Sequence, residues 1–135
     1  MMYSKYGAGK TVCCHGHIHD SRKEAERCDE LHILLLAGEI KELKLQEKYL
    51  IIPAIYRTVD TGKVYLNGTK KGQKRFKQVT EEQAAYYIAD FVYFDMKLNK
   101  TVIEDTKGMR TKEYILKRKL MKQQYCDENT IFLET

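Results

Sequence analysis

Tyr86-Tyr87-Ile88-Ala89-Asp90-Phe91-Val92-Tyr93-Phe94, then Met96-Lys97-Leu98-Asn99, then Thr101-Val102-Ile103-Glu104-Asp105-Thr106-Lys107: the fold of this 135-residue chain turns on this stretch. The first run is rich in aromatic and β-branched residues, which fit a pleated, half-buried surface, and it carries the strongest strand signal in the chain. The run from Thr101 to Thr106 reads as a second strand. With Met96 to Asn99 as the turn between them, a symmetric hairpin pairs Phe94 with Thr101 and Val92 with Ile103, and sets Asp90 opposite Asp105. Such cross-strand partners have Cβ atoms about 5 Å apart. Asp90 shares its face with Tyr86, Ile88, Val92 and Phe94, so the pair is expected on an apolar, buried row. Buried carboxylates that face each other need a cation or must become neutral. A divalent cation bridging the pair answers both needs, and a donor set of carboxylate oxygens and water suits Mg²⁺ or Mn²⁺.

Strand alternation places Lys107 on the same face as Asp105, beside the expected metal, where it can orient a water or stabilise charge on a phosphorus centre. Glu104 points to the opposite face and is the poorer candidate. A structural cluster of Asp and Lys ion pairs is the competing explanation for this trio.

Working outward, a helix is expected from Ser21 to Ala37, opened by the capping-box pattern Ser21-Arg22-Lys23-Glu24 and stopped by Gly38. Glu24, Cys28, Leu31 and Leu35 fall on one helical face, so Glu24 lies at the start of the core-facing stripe. It serves the metal site or caps the backbone N–H of Ser21; the sequence leaves both open. A strand over Leu43–Ile52 ends at Pro53, the only proline. Residues 57–80 read as a basic, glycine-punctuated loop or ribbon. A second helix is expected from Thr111 to Tyr125, a short final strand at Ile131-Phe132-Leu133, and a small hairpin near His15-Gly16. The order helix, strand, strand, strand, helix, strand gives an α/β sandwich on one mixed sheet, a single domain over residues 1–135 with an insertion at 57–80.

The net charge of +5 permits a polyanionic partner without demanding one. Its distribution says more. Between Lys107 and Lys122 seven basic residues stand against one acid, Glu113, and a second cluster holds Lys70, Lys71, Lys74, Arg75 and Lys77. Arg110, Lys112, Lys119, Lys122, Lys74 and Arg75 are the candidate phosphate contacts to DNA, with ordinary solvated faces as the competing explanation. The longest apolar run, Ile33 to Ala37, is far too short for a membrane span, and Met1-Met2-Tyr3-Ser4-Lys5 has no apolar stretch of a secretory signal. Cys13, Cys14, Cys28 and Cys126 are too few and scattered for a disulfide scaffold, so reduced thiols in a cytoplasmic protein are expected.

Cys13-Cys14-His15-Gly16-His17-Ile18-His19 raises the question of zinc. Structural zinc sites bring two separated pairs together, and no clear second pair follows. Cys28 and His32, one helical turn apart, could supply one, but Cys28 lies on the apolar stripe and reads as core.

Ile88-Ala89-Asp90-Phe91 followed by Val102-Ile103-Glu104-Asp105-Thr106-Lys107-Gly108 resembles the D…(D/E)-x-K signature of the PD-(D/E)XK nuclease superfamily, and Ser21-Arg22-Lys23-Glu24-Ala25 resembles the helix that opens many of its domains. With Leu45-Gln46, the chain looks like a phage-borne family of domains of unknown function in that superfamily, over about residues 18–133. The resemblance implies a restriction-endonuclease-like core and a Mg²⁺-dependent endodeoxyribonuclease. Its metal ligands would be Asp90, Asp105 and, more weakly, Glu24, with Lys107 assisting hydrolysis. Ala89 stands where the named proline would be, and the variable acid is Asp; neither departure removes a ligand. Gln46 reaches the same site in some relatives, although a polar residue entering a strand is the simpler explanation here. A non-catalytic nucleic-acid-binding module on the same fold is the alternative. Cutting both strands of a duplex or junction needs two active sites, so a homodimer is the expected source of the second. Its candidate surfaces are Tyr87 and Tyr93 on the outer face of the central strand and the end segment Ile131-Phe132-Leu133, with cover of the sheet within one monomer as the competing explanation.

Overall fold

The computed structural model describes residues 10–106 and 109–135. Their elements run β1 (Thr11–Val12), β2 (Ile18–His19), α1 (Arg22–Leu36), β3 (Ile40–Ile52), β4 (Ile55–Val64), β5 (Lys74–Glu82), β6 (Ala85–Asp95), β7 (Lys100–Asp105), α2 (Lys112–Tyr125) and β8 (Thr130–Glu134). Two compact units result. One comprises residues up to Tyr49 and from Tyr87 onward; the other is Leu50–Tyr86. In the first, a four-stranded sheet has the order β3-β6-β7-β8. β6 and β7 are antiparallel and β7 and β8 parallel, so the sheet is mixed and the fold is α/β.

The central hairpin forms in the expected register: Phe94 pairs with Thr101 and Val92 with Ile103, and the ladder runs from Phe91–Glu104 to Asp95–Lys100. Its turn is fastened locally. Asp95 Oδ1 accepts from the backbone N–H groups of Lys97 and Leu98, both at 2.9 Å, and Asn99 adopts φ +56°, a left-handed conformation that Asn tolerates.

Helix α1 begins and ends where its sequence signals lie. Ser21 Oγ accepts from Glu24 N at 3.1 Å. At the other end Gly38 takes φ +75°, while Gly38 N donates to Leu35 O and Glu39 N to Leu34 O, the pair of bonds that closes a Schellman motif. The helix lays Ala25, Cys28 and Leu31 on one face of the sheet against Ile40, Phe91, Tyr93 and Val102. Leu35, the last residue of the expected stripe, is only marginally covered. Helix α2, capped by Thr111 Oγ1 on Tyr114 N, packs against β8. Its Arg118 reaches Glu134, which pairs with Asp105 in the parallel ladder.

Glu104 shows why the two faces stay distinct. It is fully buried on the α1 side, where Arg27 Nε and Nη2 donate to its two oxygens at 2.8 and 2.9 Å and the Tyr93 hydroxyl donates to Oε1 at 2.7 Å. Glu104 is thus a fully partnered structural carboxylate, as its place on the far face from Asp105 requires.

The second unit is a ribbon rather than a loop. β4 and β5 pair antiparallel from Ile55–Glu82 to Val64–Lys74, with irregularities at both ends, and the ribbon is longer than the 57–80 insertion read from the sequence. Lys70 and Arg75 flank the Tyr65 ring at 5.7 and 5.4 Å, and Lys74 lies 3.8 Å from Asp60. Among the described residues, no helix is long and apolar enough to cross a membrane.

Candidate functional site

The candidate acids come from three elements: Glu24 from α1, Asp90 from β6 and Asp105 from the end of β7. The paired register of β6 and β7 ends at Phe91–Glu104, one step short of the expected Asp90–Asp105 pair, and Asp90 is instead fastened to the residue after Asp105. Thr106 donates to Asp90 Oδ2 through both its backbone N–H (2.9 Å) and its hydroxyl (3.0 Å), leaving Oδ1 for another partner. Asp105 is fully buried, and its Oδ2 accepts from the Tyr87 hydroxyl. Burial, that hydrogen bond and the charges of Asp105 and Asp90 hold the Tyr87 phenol far above its ordinary range, so it stays protonated and donating.

Glu24 arrives from the first turn of α1. It does not complete the capping box. Its Oε2 accepts from Asp20 N at 3.3 Å, not from Ser21 N, while Oε1 accepts from Gln46 Nε2 at 2.8 Å and lies 3.3 Å from His19 Nδ1. Burial and then the Asp90 charge raise the Glu24 carboxyl above the usual range, against the opposing effect of His19. The charge of Asp90 on the central hairpin is thus felt at the start of the helix. Gln46 bonds Glu24 there, which corrects the simpler explanation of a polar residue entering a strand. Its backbone holds φ +54°, a region that non-glycine residues enter at a cost and that recurs at functional sites. That conformation occurs within β3, from which the Gln46 side-chain amide donates to Glu24.

Two expectations are corrected here. The Asp90 row is not buried along its length: Ile88 is 52% exposed, and cover begins only at Val92. Asp90 is half-buried at the open end of the hairpin, where a ligand in solvent can reach it. Tyr87 and Tyr93 are not outer-face residues. Both are 4% exposed, Tyr93 over Glu104 and Tyr87 against Asp105 and, at 5.9 Å, the Phe132 ring. They cover carboxylates within one chain and cannot supply a dimer surface. Of the remaining candidates, Ile131 and Phe132 are half-buried and Leu133 is exposed on β8, the edge strand.

Lys107 lies outside the described residues. Among the candidate phosphate contacts, Lys112, Lys119 and Lys122 are exposed on α2, and Arg110 pairs with Glu134 at 2.8 Å. Lys74 and Arg75 belong to the ribbon. The sequence reading missed Tyr87, Thr106 and His19 as partners of the acids. Thr106, lying between Asp105 and Lys107, was the one with a visible signal.

Neither the curated proteins nor the solved structures contain a match to the chain. A family model described as "Protein of unknown function (DUF1064)" matches residues 3–134, and the chain belongs to that family.

Proposed function

We propose that this protein is a metal-dependent nuclease that hydrolyses DNA phosphodiester bonds, with Glu24, Asp90 and Asp105 holding the metal and Lys107 completing the site. The observation that carries the reading is the fastening of Asp90 by Thr106, the residue after Asp105, together with the charge that Asp90 exerts on Glu24 at the start of α1. The donors fit Mg²⁺ or Mn²⁺: all are carboxylate oxygens, and the mutual repulsion of Glu24 and Asp90 is what a hard cation relieves. When bound, such an ion lowers the pKa of a coordinated water and stabilises charge on phosphate oxygens. The chain's own residues set the geometry. Thr106 orients Asp90, Tyr87 orients Asp105, and Gln46 with His19 orients Glu24. The strand order β3-β6-β7-β8, with its parallel β7–β8 step and α1 packed on the central pair, is what a restriction-endonuclease-like core would require. The exposed lysines of α2 and the basic ribbon are surfaces suited to phosphates.

A second reading, a nucleic-acid-binding module without catalysis, draws on the complete burial of Asp105 under Tyr87. A panel of labelled DNAs (duplex, end, flap and four-way junction) incubated with Mg²⁺ or Mn²⁺ separates the two. The nuclease yields products with metal and none with EDTA. Binding without products in either metal overturns the first reading in favour of the second.

A further inference from the structure

We propose that Cys13, His17, His19 and Cys28 form a structural zinc site that staples the β1–β2 hairpin to helix α1. The ligand atoms of these four side chains all lie within 4.8 Å of one another. Three of the separations carry more information than that bound. Cys13 Sγ to Cys28 Sγ is 3.6 Å, Cys13 Sγ to His17 Nδ1 is 3.5 Å, and Cys28 Sγ to His17 Nδ1 is 3.6 Å. Zn–S and Zn–N bonds of tetrahedral zinc give edges of about 3.8 Å between sulfurs and about 3.6 Å between sulfur and nitrogen. The two thiols and the imidazole therefore already outline one face of such a tetrahedron.

His19 supplies the fourth corner. It is 3% exposed, and neither ring nitrogen has an aligned hydrogen bond among the described residues, an expensive position for a polar ring without a ligand. Its Nδ1 lies 3.3 Å from Glu24 Oε1, which leaves Nε2 for the metal. A carboxylate behind a ligating histidine is the usual support that fixes ring orientation at zinc. His32 is a weaker ligand candidate, although its Nδ1 is 3.6 Å from Cys28 Sγ. That nitrogen donates to the Cys28 carbonyl at 2.8 Å and so carries the proton. Cys14 turns away to Asp29, with Sγ 2.7 Å from Oδ1.

The local backbone serves the same cluster. Cys13 N donates to His17 O and Gly16 N to Cys13 O, both at 3.0 Å, and Gly16 takes φ +81°. This tight turn brings Cys13 back over His17 while β2 presents His19. Two-residue strands have little ladder to hold them, so a metal joining them to α1 would contribute much of that segment's stability. The sequence hid the site because Cys28, on the apolar stripe of α1, satisfies a core reading and a ligand reading at once.

Zinc content of untagged protein, purified without chelator and reconstituted with zinc, tests the proposal by elemental analysis. About one zinc per chain is expected. Cys28→Ser and His17→Asn should each fall below about a tenth of that, and Cys14→Ser, Cys126→Ser and His32→Asn should keep it. Because a ligand variant can simply misfold, the wild-type protein is also loaded with Co²⁺. The expected spectrum is that of tetrahedral cobalt with thiolate charge-transfer bands. Sub-stoichiometric zinc in the reconstituted wild type, an octahedral cobalt spectrum without those bands, or full zinc retention by both ligand variants overturns the site.

Discussion

Arg27→Met tests how the candidate site is held together, because Arg27 lies one turn after Glu24 and its partner Glu104 directly precedes Asp105. The Arg27 guanidinium grips both oxygens of a carboxylate that is 0% exposed, and the Tyr93 hydroxyl is the other donor. Removing Arg27 leaves that charge buried with one neutral donor, a situation that costs about 3–5 kcal/mol. Against a total stability of roughly 5–15 kcal/mol this is a large fraction. At a urea m-value of about 2 kcal/mol/M it moves the unfolding midpoint down by roughly 2 M. Tyr93→Phe removes one hydrogen bond to the charged acceptor and leaves the guanidinium in place, costing about 1.5–3 kcal/mol. The double variant Arg27→Met with Glu104→Leu removes both charges and should recover most of the loss, because hydrophobic pairs of similar volume replace buried ion pairs at little cost. Urea unfolding followed by circular dichroism of these proteins and of Glu104→Leu alone gives the values needed for the cycle. A cost below about 1 kcal/mol for Arg27→Met, or a double variant no better than the single, would refute the view that a desolvated pair clamps α1 to β7.

Three further outcomes follow from the same geometry. Glu24 is held above the usual carboxylate range by burial and the Asp90 charge, so folding favours its protonated form more than the unfolded chain does. Its stabilising contribution is complete below the unfolded-state pKa and is lost as pH rises through the raised native value. Asp90→Asn should therefore raise the metal-free melting temperature at neutral pH and flatten its decline between acid and neutral pH; an unchanged profile in calorimetry would separate the two carboxylates. Neutralising Lys112, Lys119 and Lys122 together should weaken DNA binding and reduce the slope of log affinity against log salt by about one per lost phosphate contact, and a constant slope would transfer the contacts elsewhere. Ser21→Ala removes the hydroxyl that caps Glu24 N and should cost about 1 kcal/mol in thermal unfolding, a loss that Ser21→Asp should largely avoid.

Much of the frame was legible in the residues. Ser21 and Gly38 mark the ends of α1 through cap chemistry that acts within a few residues, and the Met96–Asn99 turn fixes the β6–β7 register from Asp95–Lys100 to Phe91–Glu104. What escaped was long-range or irregular. The burial of Tyr87 beside Asp105 departs from the simple two-residue alternation that assigned it to the outer face, and the left-handed backbone at Gln46 has no glycine to announce it. Cys28 meets Cys13 only because α1 folds back over the β1–β2 hairpin, a juxtaposition that spacing along the chain cannot reveal.

The most direct test of the account compares wild-type protein with Asp90→Asn and Asp105→Asn in single-turnover cleavage of labelled DNA in Mg²⁺, at protein concentrations where all three are folded and bound. Each substitution should slow cleavage by about a hundredfold or more while DNA affinity stays within a few fold, because the acids act on the reacting phosphate rather than on binding. Cleavage by either variant at the wild-type rate would contradict it.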